Sequence, residues 1–216
     1  GAGASAENSI AVDVAAFVSG GSLGASSLTV TASDTSTIKV DVGAVAVAGS
    51  VGLVGASVAI GIALARNTID THVEAYLLGA TVTVGPLTVG ATGSSSIESR
   101  TVAAAIAVSL GALSFAISGA GAFAENVILG TVRAFASGGT VTATGIAGIT
   151  AGSTARIVAL VAALAGSISG GVLASGAAAI GAAVARNVIG SDHLHTTASG
   201  TRTLLQCAKD LGLNTQ

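Results

Sequence analysis

The sequence predicts a mainly β fold, a repeat solenoid with units of about 60 residues, a length that marks stacked layers. Three observations carry this. Asn8, Asn67, Asn126 and Asn187 recur at spacings of 59, 59 and 61. Thr and Val alternate between Gly and Pro breaks in each unit. The long uncharged runs between these segments are dense in glycine, which costs a helix roughly 1 kcal/mol per residue against alanine. Self-similarity at a fixed period is the mark of a stacked, quasi-one-dimensional protein.

The register holds after each asparagine. Ile10, Ile69, Ile128 and Ile189 lie two residues on. Val14, Val73 and Val132 follow, then Phe17, Tyr76 and Phe135. The chain has five aromatic residues (Tyr 1, Phe 4), and three occupy this single repeat position. The unit boundaries are a partial repeat 1–7, repeats 8–66, 67–125 and 126–186, and a partial repeat 187–200. Residues 201–216 leave the pattern as a tail or cap.

Each unit has two halves. The first is polar and alternating; in the second repeat it runs from Asn67 through Tyr76 to Thr81-Val82-Thr83-Val84, Gly85-Pro86 and Leu87-Thr88-Val89. These are strand signals. Leu28-Thr29-Val30-Thr31 and Thr140-Val141-Thr142 read as the equivalents of Thr81–Val84 in the neighbouring repeats. Pro86, the only proline, falls between two short strands, where it removes no ladder bond. The second half is an uncharged run, residues 42–65, 102–124 and 157–185. As strands, Ile106, Val108 and Leu110 alternate, and the phase flips at Gly111-Ala112 before Leu113, Phe115 and Ile117. Such a flip is the pattern of a hairpin. A helical stripe through Val47, Val51, Val54, Val58 and Ile62 fits as well, so an α/β-layered repeat with Ala/Gly-rich helices is the alternative fold.

Residues preceding the asparagines alternate in sign: Glu7, Arg66, Glu125 and Arg186. If successive units are neighbours, each charge meets its opposite, worth about 0.2–1 kcal/mol per pair. Glu74 and Arg133 repeat the alternation. Stacking then makes an amide ladder of Asn8, Asn67, Asn126 and Asn187 and an aromatic stack of Phe17, Tyr76 and Phe135.

Composition narrows the function. Charged residues are 8%, aromatics 2%, glycines number 31 and mean hydropathy is +0.85. Burial must come from many small residues packed closely. A net charge of −2 without a basic block argues against nucleic acid. The absence of methionine and a start in mid-repeat point to an internal piece of a longer chain. A single cysteine, Cys207, excludes an internal disulfide framework.

At this level the repeats resemble a known class. The unit Gly55-Ala-Ser57-Val-Ala-Ile-Gly-Ile-Ala-Leu-Ala-Arg66-Asn67, followed by Val73-Glu-Ala-Tyr76 and Gly79-Ala-Thr-Val-Thr-Val84, looks like the Ala/Gly/Thr/Val-rich repeats of very large bacterial surface proteins, the filamentous-haemagglutinin-like and autotransporter-type adhesins. The resemblance covers about residues 1–200. It implies a secreted, extracellular or cell-surface, elongated β-solenoid stalk or fibre, or an adhesive passenger; the repeat itself argues against an enzyme, since a catalytic site needs a unique cluster. It implies no site residues at these positions. The long Ala/Gly half-repeat departs from it, since a simple three-faced β-helix does not need one.

No catalytic, cofactor-binding or metal site is expected. His193-Leu194-His195 with Asp192 is the only metal-like cluster, and it reads as surface. Cys207 has no paired base, and the Gly-rich runs lack the phosphate-loop spacing. The expected partners are neighbouring repeats or copies of the chain, associating laterally, and a host-surface or matrix ligand. Two other readings stand beside the surface rod. One is a membrane protein with small-residue-rich helices, opposed by the lack of any Arg/Lys side bias. The other is an ice- or surface-binding array of Thr29, Thr31, Thr81, Thr83 and Thr88, opposed by Ala147 where Thr88 is expected to repeat.

Overall fold

In the computed structural model, which describes residues 1–190, 195–197 and 200–202, the chain is a parallel β-solenoid. Its strands are β1 (Ala2–Ser19), β2 (Ser22–Ala25), β3 (Leu28–Leu78), β4 (Thr81–Val84), β5 (Leu87–Ser137), β6 (Thr140–Ala143) and β7 (Ala147–Gly190). The long strands form one sheet in the order β1-β3-β5-β7, and the short ones another in the order β2-β4-β6. Pairing is parallel throughout both. The offset between β3 and β5 is constant from Leu28↔Leu87 to Leu78↔Ser137, and equals the asparagine spacing of 59. After Gly190 the pattern changes: β8 (His195–Thr197) and β9 (Gly200–Arg202) pair antiparallel with each other.

Each layer is a flattened loop. In β3, residues 28–51 run outward, the chain bends at Gly52-Leu53-Val54, and residues 55–78 run back. The two arms face each other through side chains. Ile38 packs with Ile69, Val42 and Ala44 with Ala63 and Ala65, and Val30 with Val73, Ala75 and Leu77. About two dozen residues per arm at roughly 3.3 Å each make a plate about 80 Å wide. Successive layers add about 4.8 Å along the axis.

The uncharged runs are strand, not helix, which corrects the α/β-layered alternative. The cause is in the interior. Inward positions of the runs are almost all Ala, Gly or Ser: Ala44, Ala46, Ala59, Ala63, Ala103, Ala105, Ala107, Ala116 and Ala122 are buried. With so little volume inside, the arms close on each other. A Cβ on Gly61 would lie 2.5 Å from the Ala104 carbonyl oxygen of the opposing arm in the next layer. The helical stripe of valines is instead the outward row of these strands: Val47, Val51, Val54 and Val58 are all exposed.

The phase flip at Gly111-Ala112 marks a bend, as alternation demanded, but the two arms are not a hairpin. Their backbones bond to the layers above and below, never to each other. Inward residues are odd-numbered before the bend (Ala103, Ala105, Ala107, Ser109) and even-numbered after it (Ser114, Ala116, Ser118). The bend requires glycine, because a Cβ on Gly111 would sit 2.1 Å from the Gly52 carbonyl oxygen.

At the other end of the plate, Gly20, Gly79 and Gly138 occupy one repeat position with φ of 65°, 63° and 58°. This left-handed turn joins each return arm to its short strand. A second corner at Gly85-Pro86 leads into the next layer. Two expected equivalences move here, one by an element and one by a single residue. Leu28–Thr31 pairs with Leu87–Gly90, whereas Thr81–Val84 pairs with Ser22–Ala25 and Thr140–Ala143. Thr88 aligns with Gly148 and Ala147 with Leu87.

The longer asparagine spacing of 61 has a simple structural account. One extra residue is taken up at the corner, where the offset grows from Val84↔Ala143 to Leu87↔Ala147, and one at the bend, between Gly111↔Gly171 and Leu113↔Ala174. Both insertions fall in turns, so the arms keep their facing.

Candidate functional surface

The repeat positions singled out in sequence come together as ladders along the axis. Asn67 and Asn126 are fully buried (0% exposed). The Nδ2 of Asn8 donates to Oδ1 of Asn67 at 2.9 Å, Asn67 donates to Asn126 at 2.7 Å, and Asn126 donates to Asn187 at 2.9 Å. Every amide points the same way, so each inner asparagine donates once and accepts once. This makes a polar side chain tolerable in the apolar interior, where an unpaired amide is costly.

On the outer face, Phe17, Tyr76 and Phe135 stack with ring centroids 5.1 and 5.0 Å apart and planes within 7° and 6°. The Arg133 guanidinium lies 5.2 Å from the Phe135 ring centroid and 3.4 Å from the Glu74 carboxylate. Arg66 Nε reaches Glu125 at 3.2 Å and Arg186 reaches it at 3.0 Å. Glu7 is the register partner of Arg66. The opposite arm carries its own charged pairs, Lys39–Glu98 at 3.3 Å and Arg100–Asp41 at 3.7 Å.

These charges draw a line across the plate that periodicity alone did not reveal. Asp41 and Arg66 stand opposite each other on the two outer faces of one layer, and Arg100 and Glu125 do so in the next. From that line to the bend, neither arm carries a charge. The outward side chains there are Val45, Val47, Val51, Leu53, Val54, Val58, Ile60, Ile62 and Leu64 in β3, with Ile106, Leu110, Phe115 and Ile117 in β5, and all are exposed. Val51 is 86% and Leu53 84% exposed. The large apolar residues are outside and the small ones inside. Uncharged runs signalled this, but only the fold shows that the alanines take the inward places.

On the polar half, Thr29↔Thr88 and Thr31↔Gly90↔Thr150 form interrupted rows rather than an array. The described residues contain no group of three or more potential metal ligands. Asp192 and His193, and the side chain of His195, lie outside the described residues, as does Cys207. No helix among the described residues is long and apolar enough to cross a membrane. No protein-family model matches the chain, and no match was found among curated proteins or solved structures.

Proposed function

We propose that the chain is a structural, adhesive repeat segment of a large secreted bacterial surface protein, not an enzyme, which presents a stacked β-plate outside the cell and associates with neighbouring repeats or copies. The observation that supports this reading most is the unbroken, in-register ladder of Asn8, Asn67, Asn126 and Asn187 through every layer. Residues repeated this way build a continuous body, and catalysis needs a unique cluster instead. Surface location and adhesion rest on the resemblance of the repeats to those of bacterial adhesins.

The shape qualifies the word stalk. One repeat, with its spacing of 59, adds only about 4.8 Å of length, so this solenoid builds width before height. An antibody against the chain should label unpermeabilised cells of the organism that makes it. Labelling only after permeabilisation would overturn the surface assignment. Small-angle scattering of the isolated chain should give a longest dimension of about 80 Å and a radius of gyration of about 24 Å, against about 17 Å for a compact globule of this length.

A further inference from the structure

We propose that the uncharged half of the plate enters a lipid bilayer edge-on, with the strands along the membrane normal and the solenoid axis in the membrane plane. Four observations carry this. The apolar surface covers both outer faces and the bend that joins them, in successive layers. A second copy seated on one flat face leaves the other face and the edge in water, whereas acyl chains cover all three. The depth matches: the dozen residues from Asp41 to Leu53 span roughly 40 Å, enough to cross the ~30 Å hydrocarbon core and reach the far interface.

The third observation is the backbone. Hydrogen bonds run between layers, so they lie in the membrane plane, and the β5 arms bond to β3 on one side and β7 on the other. The ladder continues through the bend, skipping only Leu53 and Ala112 between β3 and β5. Backbone polar groups of that inner layer are thus satisfied without water, which hydrocarbon requires, whereas β3 before residue 61 and β7 each keep one open edge, which a second copy stacked end to end on the sheet must cover for those layers to enter. The fourth is the placement of cations. Of the lysines and arginines among residues 1–190, Lys39, Arg66, Arg100, Arg156 and Arg186 all stand in the last outward rows before the apolar half, four of them paired there with Glu98, Glu125 or Asp41, and only Arg133 lies further away. A row of paired charges at that height belongs in the hydrated headgroup layer and sets how deep the plate can sink, with the basic stems lying along apolar surface.

The test uses the full chain, purified without detergent and mixed with extruded phosphatidylcholine vesicles. In a Cys207→Ala background, Leu53→Cys, Ile117→Cys and Thr31→Cys each receive a polarity-sensitive fluorophore. The expected result is flotation of the chain with the vesicles. The emission should shift blue at Leu53→Cys and Ile117→Cys on adding vesicles, and stay unchanged at Thr31→Cys. The double variant Ile60→Asp/Ile62→Asp, whose side chains face outward, should lose flotation at least tenfold and keep its β circular dichroism. Thr29→Asp/Thr31→Asp should float as before. A chain that stays at the bottom of the gradient overturns the proposal. So does a blue shift that is already complete without vesicles and tracks a dimer in sedimentation, which would make a second copy the occupant. Should the Asp variant misfold, the fluorophore positions alone decide.

Discussion

The two halves of each layer solve the same packing problem with opposite choices. In the polar half the interior is large and branched: Ile38, Ile69, Ile97, Val73, Val89 and Leu87 are buried, and Thr, Asp, His and Glu face out. In the uncharged half the interior is Ala, Gly and Ser, and Val, Leu, Ile and Phe face out. The first half follows the usual rule for a solenoid in water. The second inverts the sizes, which leaves little apolar area buried per residue and a large exposed apolar surface of the kind that marks an interaction site. Stability therefore resides mainly in the polar half and in the ladders at its boundary, and the uncharged half is held by backbone pairing and close approach.

The largest expected effect lies where the halves meet. Asn126→Ala removes both bonds of a fully buried amide, leaving the Asn67 Nδ2 without an acceptor and the Asn187 Oδ1 without a donor. At about 1–3 kcal/mol for the buried Asn67 group and about 1 kcal/mol for the bond to the exposed Asn187, the loss should be about 3–4 kcal/mol, read as a fall in the urea midpoint. A loss below about 1 kcal/mol, less than one orphaned group costs, would mean that water reaches the ladder.

Glycine substitutions then compare the two ends of the plate. At the bend, Gly111→Ala drives a Cβ to 2.1 Å from the Gly52 carbonyl oxygen, and two backbones must separate. About 3 kcal/mol is expected, in the range of overpacked cores. At the opposite turn, Gly79→Ala meets only φ of +63° with its nearest neighbour atom at 3.8 Å, and about 1 kcal/mol is expected. Equal losses would show that the bend opens freely. Tyr76→Leu, which removes two stacked ring pairs on an outer face, should cost about 1–2 kcal/mol, from roughly 0.5–1.5 kcal/mol per pair.

Much of this was legible in the residues. The asparagine and aromatic spacings matched the layer length, and the parity switch at Gly111-Ala112 marked the bend. What spacing left open was what the arms pair with. A phase flip looks the same in a hairpin and in an arch whose arms face each other across a core. Only the in-register repeat of the flip at Gly52, Gly111 and Gly171 distinguishes them. The helix alternative survived on the Val47, Val51, Val54 and Val58 stripe because i, i+4 residues share a strand face as well as a helix face. The polar strand equivalences slipped because Leu28–Thr31 and Thr81–Val84 have the same Thr/Val alternation, and only the Gly79 and Gly85 turns separate the two elements. The division of the surface needed both the parity and the arch, since alternation says which residues share a face but not which face is inside.

The smallest expected effect concerns the charged boundary itself. Glu125 accepts from Arg66 at 3.2 Å and Arg186 at 3.0 Å, and its side chain is 18% exposed, against 61% and 66% for the two arginines. Three alternating charges in a column look like a strong clamp. Solvent argues otherwise: two of the three are mostly in water, and exposed ion pairs contribute about 0–1 kcal/mol. Glu125→Gln should therefore lower stability by less than about 1 kcal/mol at roughly 0.15 M salt, and the difference from the parent chain should vanish near ~1 M, where screening acts within about 3 Å. A loss above about 2 kcal/mol that persists at high salt, more than exposed pairs supply, would mean that the column fixes the layers rather than marking where they turn apolar. The same variant sharpens the contrast between halves: it keeps a polar side chain at the boundary row, so if that row serves to set a depth rather than to hold the stack, vesicle flotation should survive in Glu125→Gln while the part of the salt dependence that this column contributes disappears.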